Sequence, residues 1–242
     1  MRRVEGKVAI ITGGAGGLGS AAARRLASEG ATVLIADIAV DAAEKVANEI
    51  GGGASAVHLD AFDPASIKAM VDTAIERYGR LDILNNNVAH TGGTGADTTV
   101  LETSIETWDQ SFAVNVRSYF IATKYALPHM LKNGSGSIVN IASIHGQVGD
   151  PNVVAHCASK FGLVGLTKAS ADALREHQVR VNAIAPGAID ANSLDRWGTG
   201  PDQKVTQADI ASLIVYLSSD LSRSVTGSVI EMYGSTHSVI KI

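Results

Sequence analysis

The sequence has little cysteine, little net charge and no long apolar run, and each shortage excludes a class of protein. Cys157 is the one cysteine among 242 residues, so no disulfide can form within the chain. Because paired thiols are missing, a reducing compartment is favoured, and we predict a cytoplasmic location. The formal net charge of −4 gives no reason to expect nucleic acid or an anionic membrane surface as a partner.

Membrane proteins and metalloproteins are disfavoured in the same way. No segment approaches the length of apolar sequence that spans a bilayer. Two arginines precede Val8, as they would in a signal peptide, but the apolar run after them is short and breaks into glycines. The histidines other than His156 show no short-range pairing with cysteine or carboxylates, so we predict no metal site.

Glycine, by contrast, is plentiful, and its 25 residues suggest many tight turns between strands and helices. Residues 7–26 read as a buried strand, a glycine-rich turn and an alanine-rich helix. The turn contains two glycine patterns, Gly14-x-Gly16-x-x-Gly19 and Thr12-Gly13-x-x-x-Gly17-x-Gly19. Without Cβ atoms the backbone can approach a pyrophosphate, whose charge the next helix favours at its amino terminus. The stretch predicts a dinucleotide site, with an ordinary glycine-rich turn as the alternative.

A carboxylate at the end of the second predicted strand strengthens this interpretation. The strand of residues 31–36 is followed by Asp37, about 20 residues after the glycine turn, where a carboxylate can accept hydrogen bonds from the adenosine ribose. The same charge would repel a 2′-phosphate, and no lysine or arginine lies inside the glycine turn or directly after Asp37. The sequence therefore predicts NAD rather than NADP as the cofactor.

Strand and helix patterns alternate along the whole chain, which predicts one α/β domain over residues 1–242. The expected architecture is a Rossmann-type, doubly wound sheet of seven mostly parallel strands with helices on both faces. Strands are predicted at 8–11, 31–36, 54–59, 81–84, 135–141, 179–185 and 228–232. Helices are predicted at 20–26, 40–50, 64–78, 104–132 and 209–219, with a further helix from about 153.

Several polar side chains follow strands, at the edge where parallel sheets bind ligands. Asp60 follows the third predicted strand. Asn85, Asn86 and Asn87 follow the fourth, where asparagines either bond to the local backbone in a turn or belong to a site. Asn115 is unusual inside a helix, so its side chain either faces solvent or makes a special hydrogen bond.

Other polar residues divide into one structural pair and one candidate cluster. Asp63 and Pro64 fit the N-cap and the first position of a helix, which is a structural role. Ser143 follows the fifth predicted strand. His156 and Lys160 are four residues apart, so they share one face of the helix that begins near residue 153.

Together, these motifs resemble the short-chain dehydrogenase/reductase family over essentially the whole chain. The resemblance implies an oxidoreductase that passes a hydride between a nicotinamide and a small alcohol or ketone. It implies that Asn115, Ser143 and Lys160 are the catalytic asparagine, serine and lysine of that family. It also implies cofactor contacts at Thr12, Gly13, Gly17, Leu18, Gly19, Asp37, Asp60, Asn86, Asn87, Lys160, Pro186, Gly187 and Ile189.

The main departure from the family is His156, which stands four residues before Lys160, where the family has a tyrosine that acts as the base. His156 has three interpretations: a working acid/base, the mark of an NAD-binding sensor or scaffold with little turnover, or an engineered replacement of the tyrosine. Lesser departures are Val88-Ala89 in the asparagine motif, Asp190 in place of a threonine after Pro-Gly, and Tyr233 in place of an aspartate.

Loops and exposed helices set the remaining expectations. Loops at about 88–100, 143–153 and 187–205 are predicted to shape the substrate site. Helices around residues 112–120 and 161–166 carry apolar residues over more of their circumference than one sheet face can cover. We therefore expect a homo-oligomer, which the resemblance implies is a dimer or tetramer built on these helices.

Overall fold

Seven parallel strands form a single sheet in the structure, a computed structural model that describes residues 2–90, 96–189 and 205–233. The strands are β1 (Val8–Thr12), β2 (Thr32–Asp37), β3 (Ser55–His58), β4 (Ile83–Asn86), β5 (Gly136–Ile141), β6 (Val179–Pro186) and β7 (Val229–Met232). Their order in the sheet is β3-β2-β1-β4-β5-β6-β7, and each neighbouring pair is parallel. The predicted Rossmann-type α/β fold is confirmed.

Helices connect the strands and cover both faces of the sheet. They are α1 (Gly17–Ser28), α2 (Val40–Ile50), α3 (Pro64–Tyr78), α4 (Ile105–Phe112), α5 (Ser118–Asn133), α6 (Val154–Ala173) and α7 (Gln207–Ser218). Apolar side chains of α1, α2 and α7 form one buried cluster with the sheet, and those of α3, α5 and α6 form another on the opposite face. This two-sided burial explains the unbroken apolar runs in β1 and β2.

Local signals placed several helix ends correctly. Asp63 caps α3, because its carboxylate accepts hydrogen bonds from the backbone N–H groups of Ala65 and Ser66 at 2.9 and 3.2 Å. The helix ends at Gly79, whose φ of +74° is readily adopted by a residue without a Cβ. The predicted bounds of α2 and α3 are confirmed.

Two predicted elements need correction. The fourth strand runs over Ile83–Asn86 rather than 81–84, because Asn85 and Asn86 pair with Val139 and Asn140 of β5. The Asp82 carboxylate accepts a hydrogen bond from the backbone N–H of Val8 at 2.9 Å. The single helix predicted at 104–132 is α4 and α5 joined by a π-helical turn, Ala113–Arg117. A π-turn carries one extra residue, so it rotates the side chains that follow it and often marks a functional position.

The strand order also shows where a ligand cleft can form. The chain moves outward from β1 to β3 on one side, then returns to place β4 on the other side of β1. The helices after β1 and β4 therefore diverge and leave a crevice at the carboxyl ends of these two strands, which is where open α/β sheets bind ligands.

Candidate active site

Two adjoining cavities occupy this crevice. The first, of about 350 Å³, lies between the glycine turn and the ends of β2 and β3, where Asp37 and Asp60 line it. The second, of about 330 Å³, is lined by Ser143, His156 and Lys160. Gly13, Gly16, Asn87 and Ala89 line both cavities, so they form one continuous cleft.

The floor of the cleft is a turn that tolerates few side chains. Gly13 has a φ of +64°, and a Cβ there would lie 2.9 Å from the Cα of Val88. Gly19 packs against the Gly13 carbonyl oxygen so closely that a Cβ would overlap it. At Gly17 a side chain is excluded by a helix rather than by the turn, because a Cβ there would lie 2.6 Å from the side chain of Gln207 on α7. The glycines let α1 and α7 approach the turn, while Gly16 and Leu18 face the cleft.

The predicted residues Thr12 and Asn87 brace this turn from beneath. Thr12 Oγ1 accepts hydrogen bonds from the backbone N–H groups of Asn87 and Val88 at 2.9 and 3.1 Å. The Asn87 side-chain amide donates to the carbonyl oxygens of Thr12 and Gly13 at 2.9 and 3.2 Å. These bonds tie the end of β4 to the end of β1, which fixes the shape of the cleft.

Asn86 is placed differently from its neighbour. Its side chain is buried in the sheet, where it donates a 2.9 Å hydrogen bond to Oδ1 of Asn140, and it does not line either cavity. Asn85 is buried too, and its amide donates to the Val139 carbonyl at 3.1 Å. Of the three consecutive asparagines, Asn87 alone reaches the cleft.

Asp37 connects the first cavity to the glycine turn. Its Oδ2 accepts a hydrogen bond from the backbone N–H of Ala15 at 2.9 Å, and its Oδ1 accepts one from Ala39 at 3.0 Å. Each carboxylate oxygen has a second lone pair, so the group retains acceptor capacity toward the cavity. Asp60 accepts a 2.8 Å bond from the backbone N–H of Phe62, whose side chain is exposed at the cavity wall.

Lys160 reaches the second cavity from inside α6. It is 2% exposed, and its Nζ donates a 2.8 Å hydrogen bond to the carbonyl oxygen of Ile141 at the end of β5. The ammonium also lies 5.7 Å from the centre of the buried Tyr119 ring. Burial lowers the pKa of Lys160 to about 7, because a charged ammonium is costly to desolvate.

His156 stands one helical turn before Lys160 and faces the same cavity. Its backbone N–H donates to Oδ2 of Asp97 at 2.7 Å, which fixes the first turn of α6. Burial, with smaller contributions from Lys160 and His145, lowers the pKa of His156 to about 3, and a hydrogen bond with the His90 backbone opposes this shift. The imidazole is therefore neutral at physiological pH.

Asn115 sits in the π-turn and is fully buried, so it does not face solvent. Its Oδ1 accepts from the His90 backbone N–H at 2.9 Å, and its Nδ2 donates to the His90 carbonyl at 2.9 Å and to Ser159 Oγ at 3.0 Å. The π-turn thus aims one amide at both the loop after β4 and the helix that carries His156. This is the special hydrogen bond that the sequence left open.

The remaining predicted residues complete the second cavity. Ser143 follows β5, and its hydroxyl accepts a 3.2 Å hydrogen bond from the backbone N–H of His145. Pro186, Gly187 and Ile189 line the opposite wall. Asp190 and parts of two predicted substrate loops lie outside the described residues.

Sequence reasoning missed Asp97, a buried carboxylate that holds α6 from a distant loop. It accepts from the backbone N–H groups of Ala155 and His156 at 3.0 and 2.7 Å, and so caps the helix that carries His156 and Lys160. No local signal could reveal this, because 59 residues separate Asp97 from His156. His145 and Asp150, which lie behind His156, were also missed.

The residues present fit a dinucleotide. A Cβ built on Gly16 would meet nothing closer than the Gly13 carbonyl oxygen at 3.5 Å, so the middle of the cleft is open to a bulky group. Gly16 also precedes α1 without a side chain that could cap it, which leaves N–H groups directed at the cleft. Carboxylates flank one end and an ammonium and a hydroxyl flank the other.

Metal and membrane features are absent from the described part of the chain. Residues 2–90, 96–189 and 205–233 contain no cluster of three potential ligands that could hold a metal ion. No helix among them is long and apolar enough to cross a bilayer. Cys157 is a buried free cysteine.

Known proteins resemble this chain over nearly its full length. A family model described as short chain dehydrogenase matches residues 7–201. A 3-oxoacyl-acyl-carrier-protein reductase of Thermotoga maritima is 36% identical, over 96% of this chain and 98% of the relative. A meso-2,3-butanediol dehydrogenase of Serratia marcescens is 36% identical, over 96% and 95%. A cyclohexanol dehydrogenase of an Acinetobacter species is 35% identical, over 92% and 91%.

Proposed function

The chain belongs to the short-chain dehydrogenase family, whose members are oxidoreductases with nicotinamide cofactors, and we propose that it transfers a hydride between NAD and a small secondary alcohol or ketone. The observation that carries this proposal is the shared cavity of Ser143, His156 and Lys160, continuous with a glycine-floored cleft. Two relatives are named for the oxidation of vicinal and cyclic alcohols, which makes these the first substrate classes to test.

NAD is proposed rather than NADP because of the charge at the adenosine end. Asp37 and Asp60 line the first cavity, and a 2′-phosphate placed near them would be repelled. Asp37 has lone pairs left for the ribose hydroxyls, and exposed Ile38 and Phe62 offer apolar surface to the adenine. The backbone of the glycine turn and the amino terminus of α1 would hold the pyrophosphate.

At the other end, the bound nicotinamide would supply hydride exchange, while the protein positions the substrate and moves its proton. We propose that Ser143 orients the substrate oxygen through its hydroxyl, which already accepts one hydrogen bond and keeps its proton to donate. Lys160 holds the nicotinamide ribose and supplies positive charge next to the reacting oxygen. Asn115 positions the loop after β4 through His90.

His156 is proposed as the acid/base in place of the family's tyrosine. A neutral imidazole can accept the alcohol proton but holds it poorly, because burial and Lys160 disfavour imidazolium. An imidazole is also shorter than a phenol, so contact with a substrate oxygen placed for tyrosine requires a bridging water. Alcohol oxidation should therefore suffer less than ketone reduction.

The low pKa of His156 also favours a second candidate, an NAD-binding sensor or scaffold with little turnover. A calorimetric titration with NAD and NADP, followed by a dehydrogenase screen with cyclic and vicinal alcohols, separates the two. The proposed enzyme binds NAD in preference and reduces it with at least one alcohol. Tight NAD binding with no turnover favours the sensor, and equal affinity for the two cofactors contradicts the proposed choice of NAD. Higher activity in His156→Tyr would also agree with the third interpretation, in which His156 is an engineered replacement of the family's tyrosine.

We also propose that the protein is a homo-oligomer, a dimer or tetramer. Trp108, Phe120 and Phe161 are 39, 49 and 47% exposed, and the first two continue into a surface groove lined by Phe112 and Val116. Such an apolar face on adjoining helices is typical of a contact surface. Light scattering tests this, since a species of only 25.0 kDa at micromolar concentration would contradict it. The cytoplasmic location stays a prediction.

A further inference from the structure

A second histidine and an aspartate lie behind His156. His145, in the short turn Ile144–Gly146, contacts the His156 ring edge-on, with ring centroids 5.6 Å apart and planes at 88°. Nε2 of His145 lies 3.5 Å from Oδ2 of Asp150, and the two side chains are 16 and 7% exposed. Since His156 lines the cleft, these groups form a row from a buried carboxylate to the proposed substrate.

Both added residues are held in place by hydrogen bonds. The backbone N–H of His145 donates to Ser143 Oγ at 3.2 Å, so the turn that carries His145 also touches the hydroxyl proposed to orient the substrate. Asp150 Oδ1 accepts from the Asn152 backbone and side chain at 2.9 and 3.1 Å, which leaves Oδ2 directed at His145. A carboxylate fixed in this way orients an imidazole and favours its charged form.

We propose that His145 and His156 work as one coupled acid/base unit, in which Asp150 keeps the shared proton on His145 and His156 meets the substrate as a neutral ring. The proposal rests on the proposed function. His145 and Asp150 are positioning residues, because they act on the substrate through His156.

The charges around the unit favour this division of roles. Groups that face it from the surrounding elements are His90 after β4, Asp97 before α4, Tyr119 on α5, Asp150 before α6, and Cys157 and Lys160 on α6. Burial raises the pKa values of Tyr119 and Cys157, so both stay uncharged. Lys160 adds positive charge on the side of His156, whereas Asp150 adds negative charge on the side of His145. The first proton to enter the pair is therefore expected on His145.

The proton balance of the reaction follows from this arrangement. In alcohol oxidation the substrate O–H bond breaks and its proton moves to His156, while the electron pair of the C–H bond leaves as hydride to the nicotinamide. The proton then passes to His145 by way of a bridging water, since the rings meet edge-on with centroids 5.6 Å apart, and the Asp150 carboxylate balances the charge. Reduction uses the same route in reverse. Without His145, the proton would remain on a ring that disfavours it.

Nitrogen-15 NMR of the histidine rings tests the coupling in the protein without cofactor. On acidification, His145 should become protonated first while His156 stays neutral. Asp150→Asn should lower the pH midpoint of the first step by about one unit, because it removes the balancing carboxylate. His145→Gln should raise the midpoint of His156 by about one unit, because it removes the competing imidazolium. The exposed His177→Gln serves as the matched control and should change neither midpoint. Protonation of His156 before His145, or an unmoved His156 midpoint in His145→Gln, would overturn the proposal.

Alcohol oxidation provides a second readout that a merely structural role would not move. His145→Gln should lower kcat about tenfold. It should also shift the acidic limb of the pH profile to lower pH, because the limb of the unaltered protein reports protonation of His145, whereas the limb of the variant reports protonation of His156 alone. In a His156→Tyr background the same change should alter kcat less than about twofold. Ordered protonation in a protein without any turnover supports the coupling and contradicts the proposed function. Turnover with a pH profile unmoved by His145→Gln contradicts the coupling alone.

Discussion

The two ends of the cleft differ in the chemical groups that line them. The proposed adenosine end, around Asp37 and the glycine turn, consists of backbone groups and carboxylates that are bonded to neighbouring N–H groups. The proposed catalytic end contains buried ionisable groups, with the pKa of Lys160 lowered to about 7 and that of His156 to about 3. We therefore expect cofactor binding at the first end to depend on local chain geometry, and chemistry at the second to depend on charges brought together by the whole fold.

The largest loss is expected when the catalytic end loses its cation. Lys160→Ala should reduce kcat about 10³-fold and also weaken NAD binding, because Lys160 is proposed both to charge the site and to hold the ribose. Steady-state kinetics and calorimetry measure the two effects. Lys168→Ala is the control, since Lys168 is exposed on the same helix. An unchanged kcat in Lys160→Ala would contradict the proposed catalytic role of Lys160.

The adenosine end should lose selectivity rather than chemistry. Asp37→Ala should reduce the preference for NAD over NADP by about 10- to 100-fold, as expected for lost hydrogen bonds to a charged group. Its kcat at saturating NAD should change little, because the catalytic end is untouched. Asp41→Ala, an exposed aspartate in the next helix, is the control. If Asp37→Ala keeps the full preference for NAD over NADP, a group other than Asp37 must distinguish the two cofactors at the adenosine ribose.

The pH dependence of stability also distinguishes the two ends of the cleft, because the buried His156 lies at only one of them. The pKa of His156 falls from its ordinary value of 6.5 to about 3 on folding, so between these values the unfolded chain binds more protons and stability falls as pH falls. The titration of His156 should lower the free energy of unfolding by about 2 kcal/mol between pH 6.5 and pH 5. His156→Gln should show a shallower loss of unfolding free energy in urea titrations over that range. His177→Gln should keep the slope of the unaltered protein, and equal slopes for all three would contradict the buried neutral imidazole.

The smallest effect distinguishes two neighbouring aspartates. Asp63→Ala should cost about 1 kcal/mol of stability through the lost cap of α3, without changing NAD affinity. Asp60→Ala should instead weaken NAD binding, because Asp60 lines the first cavity. Thermal unfolding and calorimetry on both variants measure this contrast. A change in NAD affinity in Asp63→Ala alone would reverse the two roles.

Much of the fold could be predicted because its signals are local. The apolar runs, the glycine-ended helices and the Asp63-Pro64 cap each act within a few residues, and the structure follows them. Asn85 and Asn86 were harder, because asparagine favours turns. Their Nδ2 groups instead donate hydrogen bonds to Val139 and Asn140 of β5, and both residues stay in β4. Their environment depends on a strand about fifty residues later, which spacing along the chain does not reveal.

The candidate site shows the same division. Asp37, Gly16 and Lys160 lie at the cleft as their spacing predicts. The π-turn around Asn115 could be suspected only from a polar residue in a helix interior. The roles of Asp97 and His145 arise from contacts across the fold that carry no local pattern. The cleft residues that carry local motifs can therefore be found in the sequence, whereas the residues that contact His156 from elsewhere in the fold cannot.

A comparison of the unaltered protein with His156→Tyr tests whether His156 limits turnover at a cleft that otherwise binds NAD. If the cofactor end is intact and His156 limits proton transfer, the tyrosine should raise kcat with a suitable alcohol by about 10²–10⁴-fold, the usual contribution of a general acid/base. The Kd for NAD should change less than about twofold, because the adenosine end is unaffected. A tyrosine variant that is no faster, or slower, would contradict a limiting role for His156 and would make His156 the residue that this protein's own chemistry needs.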